Sequence, residues 1–185
     1  MREKMRILKK TLILALVGAM MLLMISCKKE ITAPEGYKLA SNLDHVDYML
    51  FVPSDWEIKD SGTMTSAYVS ENDKTSVSVI QRNKLQNEEA SIQWWYDNYY
   101  MSELKKSIDE SKITEKKVED FELDGVQAKK FYLDIEMGTE VYSYIVVGAY
   151  TNASYYCITY TSKGELFDKN LEAFNGILEE FKFEK

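Results

Sequence analysis

The chain has 185 residues, 30 of them acidic and 23 basic, with one histidine, two cysteines and 13 tyrosines. Five of the basic residues and one of the acidic ones fall in positions 1–27, which leaves 18 against 29 beyond them, a net charge of −11. That surface has the wrong sign for nucleic-acid phosphates and for broad adhesion to anionic headgroups, and two cysteines supply no disulfide framework.

The N-terminus carries Arg2, Lys4, Arg6, Lys9 and Lys10, then an almost wholly apolar run over 11–26, then Cys27 directly after Ser26. This is the layout of an export signal. Met24-Ile25-Ser26-Cys27 resembles the lipobox of bacterial lipoproteins, in which the cysteine is diacylated and becomes the new N-terminus. The alternative is a membrane-spanning anchor, with Lys28 and Lys29 as its stop, but the 16-residue run is short of the ~20 needed to cross a bilayer core. The expectation is a signal peptide over 1–27, lipid on Cys27, and a protein held at the extracytoplasmic face of a cell membrane. Residues 28–36 are polar and contain Pro34, a tether. Residues 37–185 have the length of one domain, large enough to bury a core without metal or disulfide.

Strands are predicted over 37–42, over 48–52 with Pro53 ending it, and over 67–70 and 75–81 joined by the turn-like Glu71-Asn72-Asp73-Lys74. Asn87 suits a helix N-cap, with Glu88 and Glu89 in a first turn that favours negative charge, and the helix runs to about 107. Phe121 and Leu123 precede Asp124-Gly125, a hairpin signal, and 126–136 is the return strand with Phe131, Leu133 and Ile135 on one face. Gly138 marks a turn. Residues 141–150 are apolar or aromatic on both faces, as in a central strand covered on each side. Asn152-Ala153 turns into a strand over 154–161. Ser162 and Glu165 have capping-box spacing, and Phe167, Leu171, Phe174, Leu178 and Phe181 form a helical stripe that docks on a sheet. The order implies an α+β domain built on an antiparallel sheet with helices on its faces.

An early aromatic strand leading into Phe51-Val52-Pro53-Ser54-Asp55-Trp56, a central helix, a long meander and a last amphipathic helix closing on Phe181-Lys182-Phe183 together resemble the PsbP-like domains, which share a fold with the Mog family of Ran-binding proteins. The resemblance spans most of 37–185 and rests on order and pattern, with no catalytic motif. It implies an antiparallel sheet sandwiched by helices, and a protein that binds or assembles rather than catalyses. The export signal is not a plastid transit peptide, so nothing here points to photosystem assembly.

Chemistry-bearing clusters are sparse. His45 lies between Asp44 and Asp47, but three ligands inside four loop residues do not converge on one ion, and no second histidine completes a zinc set. Asp120-Phe121-Glu122-Leu123-Asp124-Gly125 mimics the start of a calcium loop, yet the twelfth position is Phe131 instead of an acid. Ser102 and Lys105 have a Ser-x-x-Lys spacing without its companion motifs, and no glycine-rich phosphate cradle is present. Cys157 lies in an apolar strand and reads as an inert buried thiol. No catalytic residue, metal or cofactor is expected.

The aromatic residues are the one oddity. On a helix Ile92, Trp95, Tyr96 and Tyr99 share a face, whereas Trp94 points ~100° away from Trp95. Trp94 and Tyr100 are therefore the candidate binding surface, because exposed aromatics anchor partners, set against the plain alternative that they fill the core. The expected function is a lipid-anchored, non-catalytic binding or assembly module for a protein partner of the membrane or envelope. The alternative is a receptor for a small envelope ligand, a glycan or lipid headgroup, in an aromatic-lined pocket.

Overall fold

A computed structural model describes residues 31–62, 64–86, 88, 91–151 and 154–184. Three short strands, β1 (Tyr37–Leu39), β2 (Tyr48–Met49) and β3 (Phe51–Pro53), precede β4 (Glu57–Asp60), β5 (Met64–Tyr68) and β6 (Ser76–Asn83). A helical segment follows in three pieces: α1 (Ile92–Trp95), a π-helical stretch (Tyr96–Tyr100) and α2 (Met101–Ser107). Then come β7 (Ile113–Leu123), β8 (Val126–Met137), β9 (Glu140–Tyr150), β10 (Ser154–Lys163), the long helix α3 (Gly164–Glu180) and β11 (Lys182–Phe183). The main sheet is antiparallel, in the order β4-β5-β6-β10-β9-β8-β7, while β1 pairs β3 and β11 pairs β2 in two small ribbons.

Alternation along the strands sends side chains to two separate cores. On one face Val77, Val79, Ile145, Val147, Ile158 and Tyr160 pack with Leu50, Val52 and Trp56 and with Phe174, Ile177, Leu178 and Phe181 of the α3 end. On the other, Phe131, Leu133, Ile135, Val146, Tyr155 and Cys157 lie under Trp95, Tyr96 and Met101 of the helical segment. That helix comes close because position 148 in β9 has no side chain: a Cβ there would sit 2.9 Å from Ile92 Cγ2 and 3.0 Å from the Trp95 ring. The result is an α+β sheet sandwiched by helices.

The predicted hairpin at Asp124-Gly125 is a two-residue turn with both φ values positive, 47° and 78°, the type I′ geometry that matches strand twist. Several expectations need correction. The strand over 48–52 is interrupted at Leu50, whose N–H donates to Ser41 Oγ at 2.7 Å. The helix begins at Ile92 with Ser91 as N-cap, its Oγ accepting from Trp94 N at 3.2 Å. Glu88 is therefore outside the helix; its carboxylate accepts from Leu85 N at 2.8 Å and pairs with Arg82 at 3.0 Å. Asn87 and the Asn152-Ala153 turn lie outside the described residues. Ser162 is the last buried position of β10 instead of a cap, 2.8 Å from Thr75 Oγ1, and α3 starts behind Lys163 with no side-chain cap. Strand β4 and the first half of β7 carry too few apolar residues to announce themselves, as expected of edge strands, which are guarded by charged side chains.

Candidate functional site

A groove opens between α3 and the β7–β9 side of the sheet, with a volume of about 570 Å³. Phe167, Asp168 and Leu171 form its helical wall, and Lys116, Lys117, Tyr132, Asp134 and Ser143 its strand wall. A bulge in β7 between Glu115 and Lys117 builds that second wall. In a regular strand adjacent residues point to opposite faces, so Lys116 and Lys117 could not both line one groove; the extra residue re-aims the chain and lets them. Lys116 pairs with Asp134 Oδ2 at 2.5 Å, and Ser143 Oγ donates to Asp134 Oδ1 at 2.7 Å. Lys117 Nζ lies 2.7 Å from Glu119 and 4.1 Å over the Tyr132 ring, whose hydroxyl donates to Glu119 at 2.8 Å.

Each ionisable group on the strand wall thus has a partner. Burial and then the Glu119 carboxylate push the Tyr132 hydroxyl up to about 12, and Lys117 followed by Tyr132 hold Glu119 below its usual range. The lining holds no histidine or cysteine. It is a surface of charged hydrogen-bonding groups beside Tyr132, Phe167 and Leu171, suited to holding a ligand by mixed polar and apolar contact. Sequence reading did not find these residues. The one signal was the adjacent pair Lys116-Lys117 inside a stretch that otherwise alternates.

The aromatic residues of the helical segment mostly point inward. Trp95 is buried and stacks on Tyr155 at 6.2 Å, and Tyr96 lies flat on Phe131 at 3.7 Å. Tyr100 is half-buried, stacked on Tyr96 at 5.6 Å, and its hydroxyl, hydrogen-bonded to Thr159, is pushed well up by burial. Trp94 is half-buried at the margin of the same cluster. The expectation that Tyr99 joins the inward face fails. The π-helical stretch adds a residue to the turn, so Met101 takes the inward position, and Tyr99 turns out over the Arg82 guanidinium at 4.2 Å.

His45 is exposed, and its neighbour Asp47 is engaged otherwise, accepting from the Tyr156 hydroxyl at 2.7 Å. The calcium-like stretch is the β7–β8 hairpin: Asp120 pairs with Lys129 at 2.6 Å, and Asp124 accepts from Phe183 N at 3.0 Å. Among the described residues no three His, Cys, Asp or Glu side chains cluster to hold a metal. Cys157 is buried, with its thiol pushed up to about 12 by desolvation. Cys27 and the rest of the export signal lie outside the described residues, and no described helix is long and apolar enough to cross a membrane.

No protein-family model matches this chain, and no curated protein matches it. Solved structures do. The solution structure of cyanobacterial PsbP (CyanoP) from Synechocystis sp. PCC 6803 superposes with a TM-score of 0.61 at 13% identity, over 86% of this chain and 98% of that one. LpqN of Mycobacterium tuberculosis, described as involved in cell envelope biogenesis, superposes with a TM-score of 0.58 at 12% identity, over 75% of this chain and 83% of that one. At such identities the likeness concerns architecture, and this chain has the PsbP-like fold.

Proposed function

We propose that this protein is a lipid-anchored, non-catalytic binding module that engages a protein partner of the membrane or envelope through the groove between α3 and β7–β9. The observation that carries the reading is the groove itself: charged groups already held in place, next to Tyr132, Phe167 and Leu171, with no histidine or cysteine among its lining. Pre-positioned charges favour specific recognition of a partner. The Met24-Ile25-Ser26-Cys27 sequence supports anchoring, and the fold is shared with an envelope-biogenesis protein. Fold alone assigns no function, so the groove and the anchor are tested separately. Fatty-acid labelling of the wild type and of Cys27→Ser should show lipid only on the former. Chemical crosslinking in cells should recover one reproducible protein, lost in Phe167→Asp; recovery of none would overturn the binding role.

A second reading has its own observation. The groove volume falls in the range of small-molecule sites, roughly 300–1,000 Å³, and Tyr132, Tyr144 and Phe167 line it. A glycan or lipid headgroup held there would raise the melting temperature of the wild type through binding linkage and leave Phe167→Asp unmoved.

A further inference from the structure

Strand β7 is the edge of the seven-stranded sheet, pairing with β8 on one side only, and every residue over 114–120 is exposed. An edge strand of this length presents a row of free backbone groups, which proteins usually guard with like charges, prolines or bulges. Here the charges have an unusual order. Read outward from Val118, Lys117 on one side meets Glu119 on the other, and Lys116 meets Asp120. The sequence is electrostatically self-complementary about Val118, which is itself an exposed apolar side chain at 50%.

We infer that β7 is a homodimerisation edge, pairing antiparallel with β7 of a second copy about a two-fold axis at Val118. Register decides this. A two-fold axis perpendicular to a continuous sheet places one residue opposite itself, and shifting the pairing by a single residue flips side chains to the wrong face. Axes at Lys116, Lys117, Glu119 or Asp120 each put like charges directly opposite, which is destabilising. Within the charged run 115–120, only the axis at Val118 puts a neutral side chain opposite its copy, with Lys117 facing Glu119 twice over, whereas an axis at Phe121 would set Asp120 against Glu122. Backbone geometry agrees. In the two-residue hairpin at Asp124-Gly125, Leu123 and Val126 form a hydrogen-bonded pair, so Leu123, Phe121 and Glu119 turn their amides and carbonyls toward β8. Val118, Asp120 and Glu122 turn theirs outward. Val118 and its copy can then exchange both backbone hydrogen bonds. The bulge at Lys116 limits the paired run to a few residues, so the contact is weak, and confinement at a surface favours it. The interface is isologous and closes on itself. It lies on the strand edge beside the groove, whose strand wall includes Lys116 and Lys117.

Cysteine crosslinking tests the register in the full chain. Hydrogen-bonded antiparallel neighbours have Cα atoms about 5.5 Å apart, inside disulfide range. Val118→Cys in membranes from expressing cells should oxidise to a disulfide-linked dimer of twice the chain mass. Glu122→Cys, on the same edge and equally exposed, should give at least tenfold less, because its counterpart is Thr114. Adding Glu119→Lys to Val118→Cys should abolish the crosslink, and adding Lys117→Glu as well should restore it. All four sites are exposed strand positions, so none disturbs the core. No dimer from Val118→Cys, equal crosslinking at both positions, or an adduct with a different protein at Val118 would each overturn the proposal. The groove reading survives any of these, since Phe167→Asp leaves the edge intact.

Discussion

The two faces of the sheet both bury aromatic rings, but under different kinds of helix. On one face α3 is regular: Phe167, Leu171, Phe174, Leu178 and Phe181 recur every three or four residues, Phe174 stacks on Tyr160 at 4.7 Å, and the last three are buried. On the other face the segment over 92–107 changes winding midway, and its inward residues Trp95, Tyr96 and Met101 do not follow a 3.6-residue period. A regular stripe lets a helix slide in only one register against the sheet. A π-helical stretch fixes a local register instead, by spending one extra residue to bring Met101 inward while Tyr99 swings out to Arg82. The first face also has a polar pin: Asp73 accepts from Thr75 N at 3.0 Å and from Asn170 Nδ2 at 3.1 Å, tying the β5–β6 connection to α3.

Truncating one buried helical ring on each face measures the difference most coarsely. Phe174→Ala and Trp95→Ala should each cost about 3–5 kcal/mol by denaturant unfolding, whereas Trp94→Ala, at the margin of its cluster, should cost only about 1–2 kcal/mol. A Trp94→Ala loss equal to that of Trp95→Ala would mean that the second face has no margin and that Trp94 is core.

The close approach of the irregular helix is sharper still. Gly148→Ala places a methyl against Ile92 and Trp95, and should destabilise by about 1–3 kcal/mol through overpacking. The near-ultraviolet tryptophan dichroism should change with it, because the added methyl presses on the Trp95 ring.

The pin on the regular face responds to acid. Burial alone would raise the Asp73 pKa, but hydrogen bonds from Thr75, Asn170 and Lys169 outweigh it and lower it. A carboxylate lowered in the folded state contributes stability above its unfolded value, about 3.9, and loses it as pH falls through the folded one. Acid titration of unfolding should therefore show a loss below about pH 4 that is smaller in Asp73→Asn. Equal acid lability in both proteins would remove Asp73 from the account.

The smallest effect expected is on the extra residue itself. Asn98 is exposed within the π-helical stretch, and deleting it leaves Tyr96 and Met101 four apart, the spacing an α-helix needs to keep both inward. Stability should change by less than about 1 kcal/mol. A large loss would show that the irregular winding is required by the fold.

The sequence made the regular parts legible for physical reasons. The α3 stripe, the Asp124-Gly125 turn and the alternation of Phe131, Leu133 and Ile135 are local patterns whose burial needs nothing distant. What escaped depended on geometry set elsewhere. The winding at 96–100 follows Ile92 and Trp95, which lie against Gly148, 48 residues beyond Tyr100. Ser162 had the spacing of a cap but was claimed by Thr75 across the sheet. The groove came from a bulge that two adjacent lysines hinted at without fixing its place, and from a helix that no local pattern puts opposite it.

The most direct test of a binding role places a photo-activated crosslinking side chain at Asp168, on the helical wall of the groove, and at Ile80, which is exposed on the opposite face of the sheet. The full chain is irradiated in cells, and adducts are identified by mass spectrometry. One protein captured at Asp168 and not at Ile80, and lost when Phe167→Asp is added, is the result predicted. The same adducts at both positions, or none at Asp168, would contradict it.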